Sequence, residues 1–109
     1  MERIMNKLVR DNIPEICLAH GDIPTYHTLS EDEYILALKE KMNEEYHEIL
    51  SAATKDEVLE ECADLLELLF ALTKVNGYQE EDLLQTRILK REKRGGFEKR
   101  IFLEKTETK

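Results

Sequence analysis

The chain has little that interrupts a helix, with four glycines and two prolines in 109 residues. Apolar residues recur at steps of three and four over long stretches, so the class is mostly α. Long hydrophobic runs are also missing. None approaches the roughly 20 residues needed to cross a bilayer, and the opening Met-Glu-Arg-Ile-Met-Asn-Lys lacks a secretory apolar core. The expectation is a soluble, cytoplasmic protein without a membrane partner. Cysteine is scarce too: Cys17 and Cys62 fall in apolar helical contexts and read as reduced, buried small hydrophobes. Basic residues are outnumbered, 16 against 24 acidic, for a formal charge of −8. That balance argues against binding a nucleic-acid polymer or an anionic membrane through net charge, and it leaves room for a local basic site.

The length and a 41% hydrophobic content suit one domain, residues 1–109, and no second core. The few breakers mark its joints. Asn12 before Ile13-Pro14 suits a helix start, and Gly21 closes a short helix over about 13–20. Residues 22–29 have no helical period and form a loop or a short extended piece. Ser30 followed by Glu33 is a capping box opening a helix to about Ala53, and Thr54 with Glu57 repeats the device for a helix to about Asn76. Asn76-Gly77 supplies a left-handed stop. A joint so short makes the two long helices antiparallel neighbours. A fourth helix over about 80–94 begins with Glu80, Glu81 and Asp82 and ends with Lys90, Arg91, Lys93 and Arg94, matching the helix dipole at both ends. Beyond it, Ile101-Phe102-Leu103 is expected to dock, and residues from about 104 to 109 are expected to fray.

Four carboxylates stand out against this pattern, in the pairs Glu45-Tyr-His-Glu48 and Glu61-Cys-Ala-Asp64. Residues three apart on a helix share a face about one turn apart. In the first long helix the buried stripe runs Ile35, Leu38, Met42, then Glu45, then Ile49 and Ala52. In the second, Leu65, Leu68 and Leu72 continue the face of Glu61. Asp64 is a poor residue both for mid-helix and for a core. In a chain with 37% charged residues such pairs arise by chance on solvated faces. Chance does not account for two glutamates on apolar stripes of adjoining helices. Glu44, beside them, can sit on the surface at no loss.

Converging negative charge at a helix interface is unfavourable unless a cation binds there. Four oxygen donors with no Cys or His among them select a hard ion, Mg²⁺ or Mn²⁺, over zinc or copper. His47 projects away from both glutamates of its motif. An EF-hand is excluded because neither segment is an irregular loop with a central glycine, and a di-iron bundle needs Glu-x-x-His pairs that are absent. Mg²⁺ held by carboxylates commonly completes its shell with water and substrate phosphates, which points to phosphoryl or pyrophosphoryl chemistry. Cations for those phosphates are available at Lys90 and Arg94, one turn apart near a helix end. Lys41, one turn before Glu45, can pair with it or reach a phosphate.

The run Glu44-Glu45-Tyr-His-Glu48, twelve residues, then Glu61-Cys-Ala-Asp64 resembles the EExxE and ExxD signature of MazG-like all-α nucleoside triphosphate pyrophosphohydrolases. Lys90-x-x-x-Arg94-Gly-Gly-Phe97 resembles that family's downstream basic motif. Lys7-Leu-Val-Arg-Asp-Asn-Ile-Pro14 is similar to the opening of a small single-domain, phosphoribosyl-ATP pyrophosphohydrolase-like branch. One departure is visible: Ile88 stands where some relatives carry Asn, so no base or sugar contact is carried over to it.

The resemblance implies an all-α, four-helix antiparallel bundle completed by homodimer or homotetramer formation. The implied reaction is hydrolysis between the α and β phosphates of a nucleoside triphosphate, giving monophosphate and pyrophosphate, in the clearing of modified nucleotides. Glu45, Glu48, Glu61 and Asp64 would hold Mg²⁺, with Mn²⁺ as a substitute, and Glu48 would orient the attacking water. Lys90 and Arg94 would neutralise charge on the phosphates, and Arg10 and Asp11 would border the site. Phosphoribosyl-ATP or dUTP as substrate, or a non-catalytic helical module that binds divalent ions, fit the same spacing.

Overall fold

The computed structural model describes residues 1–108 and contains four helices and no strand among them. They are α1 (Ile13–Ala19), α2 (Glu31–Ser51), α3 (Lys55–Val75) and α4 (Glu80–Arg94). Each boundary has a local cause. Pro14 sits in the first turn of α1, where its missing N–H costs nothing. Ser30 and Glu33 form the expected reciprocal box on α2: the Glu33 amide donates to Ser30 Oγ at 3.3 Å and the Ser30 amide to Glu33 Oε1 at 3.1 Å.

At α3 the device shifts by one residue. Thr54 Oγ1 accepts from the Glu57 amide at 3.1 Å, while the Glu57 carboxylate accepts from Ala53 at 2.8 Å. Gly77, at φ +92°, ends α3 in a Schellman motif, with Tyr78 N–H donating to Thr73 C=O and Gly77 N–H to Lys74 C=O. Gly21, at φ +85°, closes α1 with the same pair of bonds, to Cys17 and Leu18. On α4, Asp82 Oδ2 accepts from the Gln79 amide at 2.8 Å. Residues 22–29 carry neither helix nor strand.

Only three residues separate α2 from α3, and the two pack along each other as an antiparallel hairpin, with α4 laid against α3. The short α1 packs on none of the other helices. The expected stripes do turn inward: Ile35, Met42, Ile49, Leu65, Leu68 and Leu72 are half-buried around Leu38, which is 1% exposed. Leu38 is the one fully buried apolar side chain among the described residues.

The chain is correspondingly open. Its radius of gyration is 18.6 Å with principal extents of 66 × 36 × 23 Å, where a compact domain of this length has about 13 Å. Leu36, Leu50, Leu59 and Leu66 stay exposed on the two long helices. Two sequence expectations are corrected here. Ile101, Phe102 and Leu103 are 80%, 89% and 73% exposed and do not dock: they follow α4 in a segment without regular structure and bury little of their apolar surface. The thiols are free, but Cys62 is exposed and Cys17 only half-buried. Residues 104–108 carry no regular structure, and Lys109 of the expected frayed tail lies outside the described residues. No described helix is long and apolar enough to cross a membrane.

Candidate metal centre

The α2 and α3 hairpin brings the acidic motifs together at its interface. Glu45 on α2 and Glu61 and Asp64 on α3 each place an oxygen within 4.8 Å of the other two. Glu44, Glu45 and Glu48 form a second such group along α2, so Glu45 belongs to both. The side chain that interrupted the apolar stripe is the centre of the cluster. It is 5% exposed, and besides Leu38 it is the one buried residue among those described.

The electrostatics record how crowded this is. Burial raises the pKa of Glu45 above the usual carboxylate range, reinforced by Glu48 and Asp64 and opposed by its contact with Glu61. Glu61 meets both Glu45 and Glu48 through its carboxyl group, and these contacts, with burial and like charge, push its pKa up to about 8. Carboxylates held this close ionise together only at high cost, so one proton is retained among them.

Oxygen Oε2 of Glu45 and Oε2 of Glu61 are shut off from solvent and accept no hydrogen bond from a group outside the acidic cluster among the described residues. An acceptor buried without a donor costs more than the bond it forgoes. A hard dication supplies what both oxygens lack, and a donor set made only of carboxylate oxygens is suited to one. The residues present therefore fit a divalent metal: Glu45, Glu61 and Asp64 around one point, with Glu48 beside Glu61 and Glu44 beside Glu45.

Three cations surround the cluster. Arg10 Nη2 donates to Asp64 Oδ1 at 2.6 Å, across 54 residues of sequence. Lys41 Nζ reaches both oxygens of Glu44 at 3.3 Å and lies 3.8 Å from Glu45 Oε1. Lys7 Nζ lies 3.7 Å from Glu44 Oε1. Of the residues singled out in the sequence, Glu45, Glu48, Glu61, Asp64 and Arg10 are thus gathered. Asp11 is exposed and makes no ion pair among the described residues. Lys90 and Arg94 are exposed on α4, and no ion pair joins either to the carboxylates among the described residues. His47 points outward as expected, exposed, with its ring centroid 5.5 Å from that of Tyr46.

Lys7 was not singled out from the sequence, and Glu44 was read as a surface residue. Their signal was the Lys7 and Arg10 pair, two cations three apart in an acidic chain.

Against known proteins, no solved structure matches. An uncharacterized protein of Mycolicibacterium smegmatis (strain ATCC 700084 / mc(2)155) is 50% identical over 56 residues, which is 51% of this chain and 57% of that protein. The chain thus spans little more than half the length of that relative. The family model of phosphoribosyl-ATP pyrophosphohydrolase matches residues 8–91. That span holds all the gathered carboxylates, Arg10, Lys41 and Lys90, and stops short of Arg94. A match running from the N-terminal segment through both acidic motifs and into α4 places the chain in the phosphoribosyl-ATP pyrophosphohydrolase family, within the MazG-like all-α group.

Proposed function

We propose that the protein is a Mg²⁺-dependent nucleoside triphosphate pyrophosphohydrolase that adds water across the bond between the α and β phosphates. The hydroxyl goes to the α phosphorus, giving the monophosphate, and pyrophosphate leaves. The observation that carries this reading is the pair of sealed oxygens on Glu45 and Glu61, which no donor outside the acidic cluster reaches among the described residues, at the point where acidic residues of two helices converge. When bound, Mg²⁺ supplies polarisation of a phosphate oxygen and a lowered pKa for a coordinated water.

The chain's own residues supply the rest. Glu45, Glu61 and Asp64 fix the position of the ion. Glu48 is exposed at the open side of the cluster beside Glu61, where it orients the attacking water and takes its proton. Lys90 and Arg94 neutralise charge on the departing phosphates, Arg94 through two oxygens at once. Removing modified nucleotides is the role such an activity serves.

A second substrate, phosphoribosyl-ATP, is favoured by the family model that matches residues 8–91. It contains the same bond and asks for the same chemistry. We further propose a cytoplasmic homo-oligomer, a dimer or tetramer. Its support is the open shape and the leucines left exposed on α2 and α3, which a second copy covers.

The test is product analysis with Mg²⁺ for ordinary and modified nucleoside triphosphates, dUTP and phosphoribosyl-ATP. Monophosphate plus pyrophosphate from any of them supports the reaction, and relative kcat/KM values choose the substrate. Diphosphate plus orthophosphate refutes the assigned bond. No turnover of any substrate leaves a helical module that binds divalent ions.

A further inference from the structure

We propose that the segment Lys7 to Arg10 is a phosphate-binding strap: with Lys41 it forms an anion subsite beside the carboxylates for the phosphates of the substrate. The proposal rests on the pyrophosphohydrolase reading above and adds to it residues that the acidic and α4 motifs do not include. The segment has no regular structure, yet it is tied to both halves of the site. Lys7 pairs with Glu44 on α2 at 3.7 Å, and Arg10 with Asp64 on α3 at 2.6 Å. Beneath it, Lys7 and Leu8 face Lys41 across a cavity of about 190 Å³ whose lining also includes the carboxylates of Glu40 and Glu44. At about 30 Å³ per water, that is room for a phosphate group with some of its hydration.

The ion pairs of the strap are poorly placed to be structural. The Arg10 side chain is 60% exposed and that of Lys7 37%, and exposed pairs of this kind contribute little to stability. They are well placed to be exchanged. With a dication bound, Glu45, Glu61 and Asp64 would have their charge compensated, and Arg10 would no longer be needed as the counter-charge of Asp64. Arg10 would then be free for a substrate phosphate, whose two oxygens its planar fork matches. Lys41 moves likewise from Glu45, while Lys7 remains beside the cavity. Lys90 and Arg94 act from α4, a helix that does not pack on α2.

This exchange has a signature that a structural ion pair lacks. Arg10→Ala frees Asp64, so Mg²⁺ alone binds several-fold more tightly, while inorganic pyrophosphate at saturating Mg²⁺ binds about tenfold or more weakly. Both are read by calorimetric titration of the full chain, with helicity recorded for each variant. Arg10→Lys recovers part of the pyrophosphate affinity. Lys7→Gln and Lys41→Gln each weaken pyrophosphate about tenfold without weakening Mg²⁺.

Normal pyrophosphate affinity in all these variants, in a protein that still turns over nucleotide, overturns the strap and leaves the enzyme reading standing. Weaker Mg²⁺ binding in Arg10→Ala makes the pair structural and overturns the exchange. A wild-type chain that neither turns over nucleotide nor binds pyrophosphate removes the enzyme reading and the strap together.

Discussion

Binding of Mg²⁺ should expel a proton, because the carboxyl group of Glu61 is held protonated above the ordinary carboxylate range. Glu61 is raised from the ordinary 4.5 to about 8 by its contacts with Glu45 and Glu48. At pH 7 it therefore holds its proton in roughly nine molecules of ten, at pH 8 in about half, and at pH 9 in about one of ten. A metal ligand must be deprotonated, so each ion bound displaces close to one proton at pH 7 and about half a proton at pH 8. Apparent affinity should rise up to about tenfold per pH unit below 8 and level off above it.

The assay is titration calorimetry at pH 7 in two buffers of different ionisation enthalpy, where the difference in heat counts the protons released. Equal heats in the two buffers, with binding plainly present, would refute the crowded-carboxylate account. The same shift has a sign for stability. Because the folded pKa lies above the unfolded one, the contribution of Glu61 is fully present below about 4.5 and is lost as pH rises through about 8. In EDTA the Tm should fall over that window, and Mg²⁺ should restore most above pH 8.

Other perturbations separate the roles of the same side chains. At pH 9, where Glu61 is ionised, Glu45→Gln and Glu61→Gln should raise Tm in EDTA, because each removes like charge, yet abolish the Tm gain given by Mg²⁺; a fall of Tm in EDTA would contradict this. In a pyrophosphate-release assay Glu45→Gln, Glu61→Gln and Asp64→Asn should each lose at least about 100-fold in kcat/KM, about 2.7 kcal/mol of transition-state stabilisation. Near-normal rates in all three would dissolve the assigned centre. Leu38→Ala deletes the one fully buried apolar side chain among the described residues and should cost about 2–5 kcal/mol in denaturant unfolding. A loss below about 1 kcal/mol would place the working core elsewhere. Size-exclusion chromatography with light scattering should give a multiple of 12.8 kDa, and a clean monomer would contradict the oligomer.

What was legible in the sequence was what local chemistry decides. Ser30 with Glu33 and Gly77 after Asn76 set helix ends through bonds spanning three to five residues, so spacing alone located them. The inward placement of Glu45 and Glu61 was legible because a carboxylate on an apolar stripe contradicts its surroundings, and that contradiction marks the candidate site. Arg10 on Asp64 and Lys7 on Glu44 join an irregular segment to two helices, where no period connects partners so far apart. Glu44 looked like surface because its role comes from those lysines rather than from its own helix face. The apolar run at 101–103 was misjudged for a related reason. Its composition asks for a partner surface, but docking depends on where the chain leads after α4, and there the three side chains stay exposed.

The central claim is that the carboxylates of α2 and α3 hold the ion on which nucleotide cleavage depends. It is tested most directly by pyrophosphate release from the wild-type chain and from Glu61→Gln, each with Mg²⁺ and with EDTA. The account predicts release from the wild type with Mg²⁺ alone and background in the other three. Release that survives EDTA, or that survives loss of the Glu61 carboxylate, would contradict it.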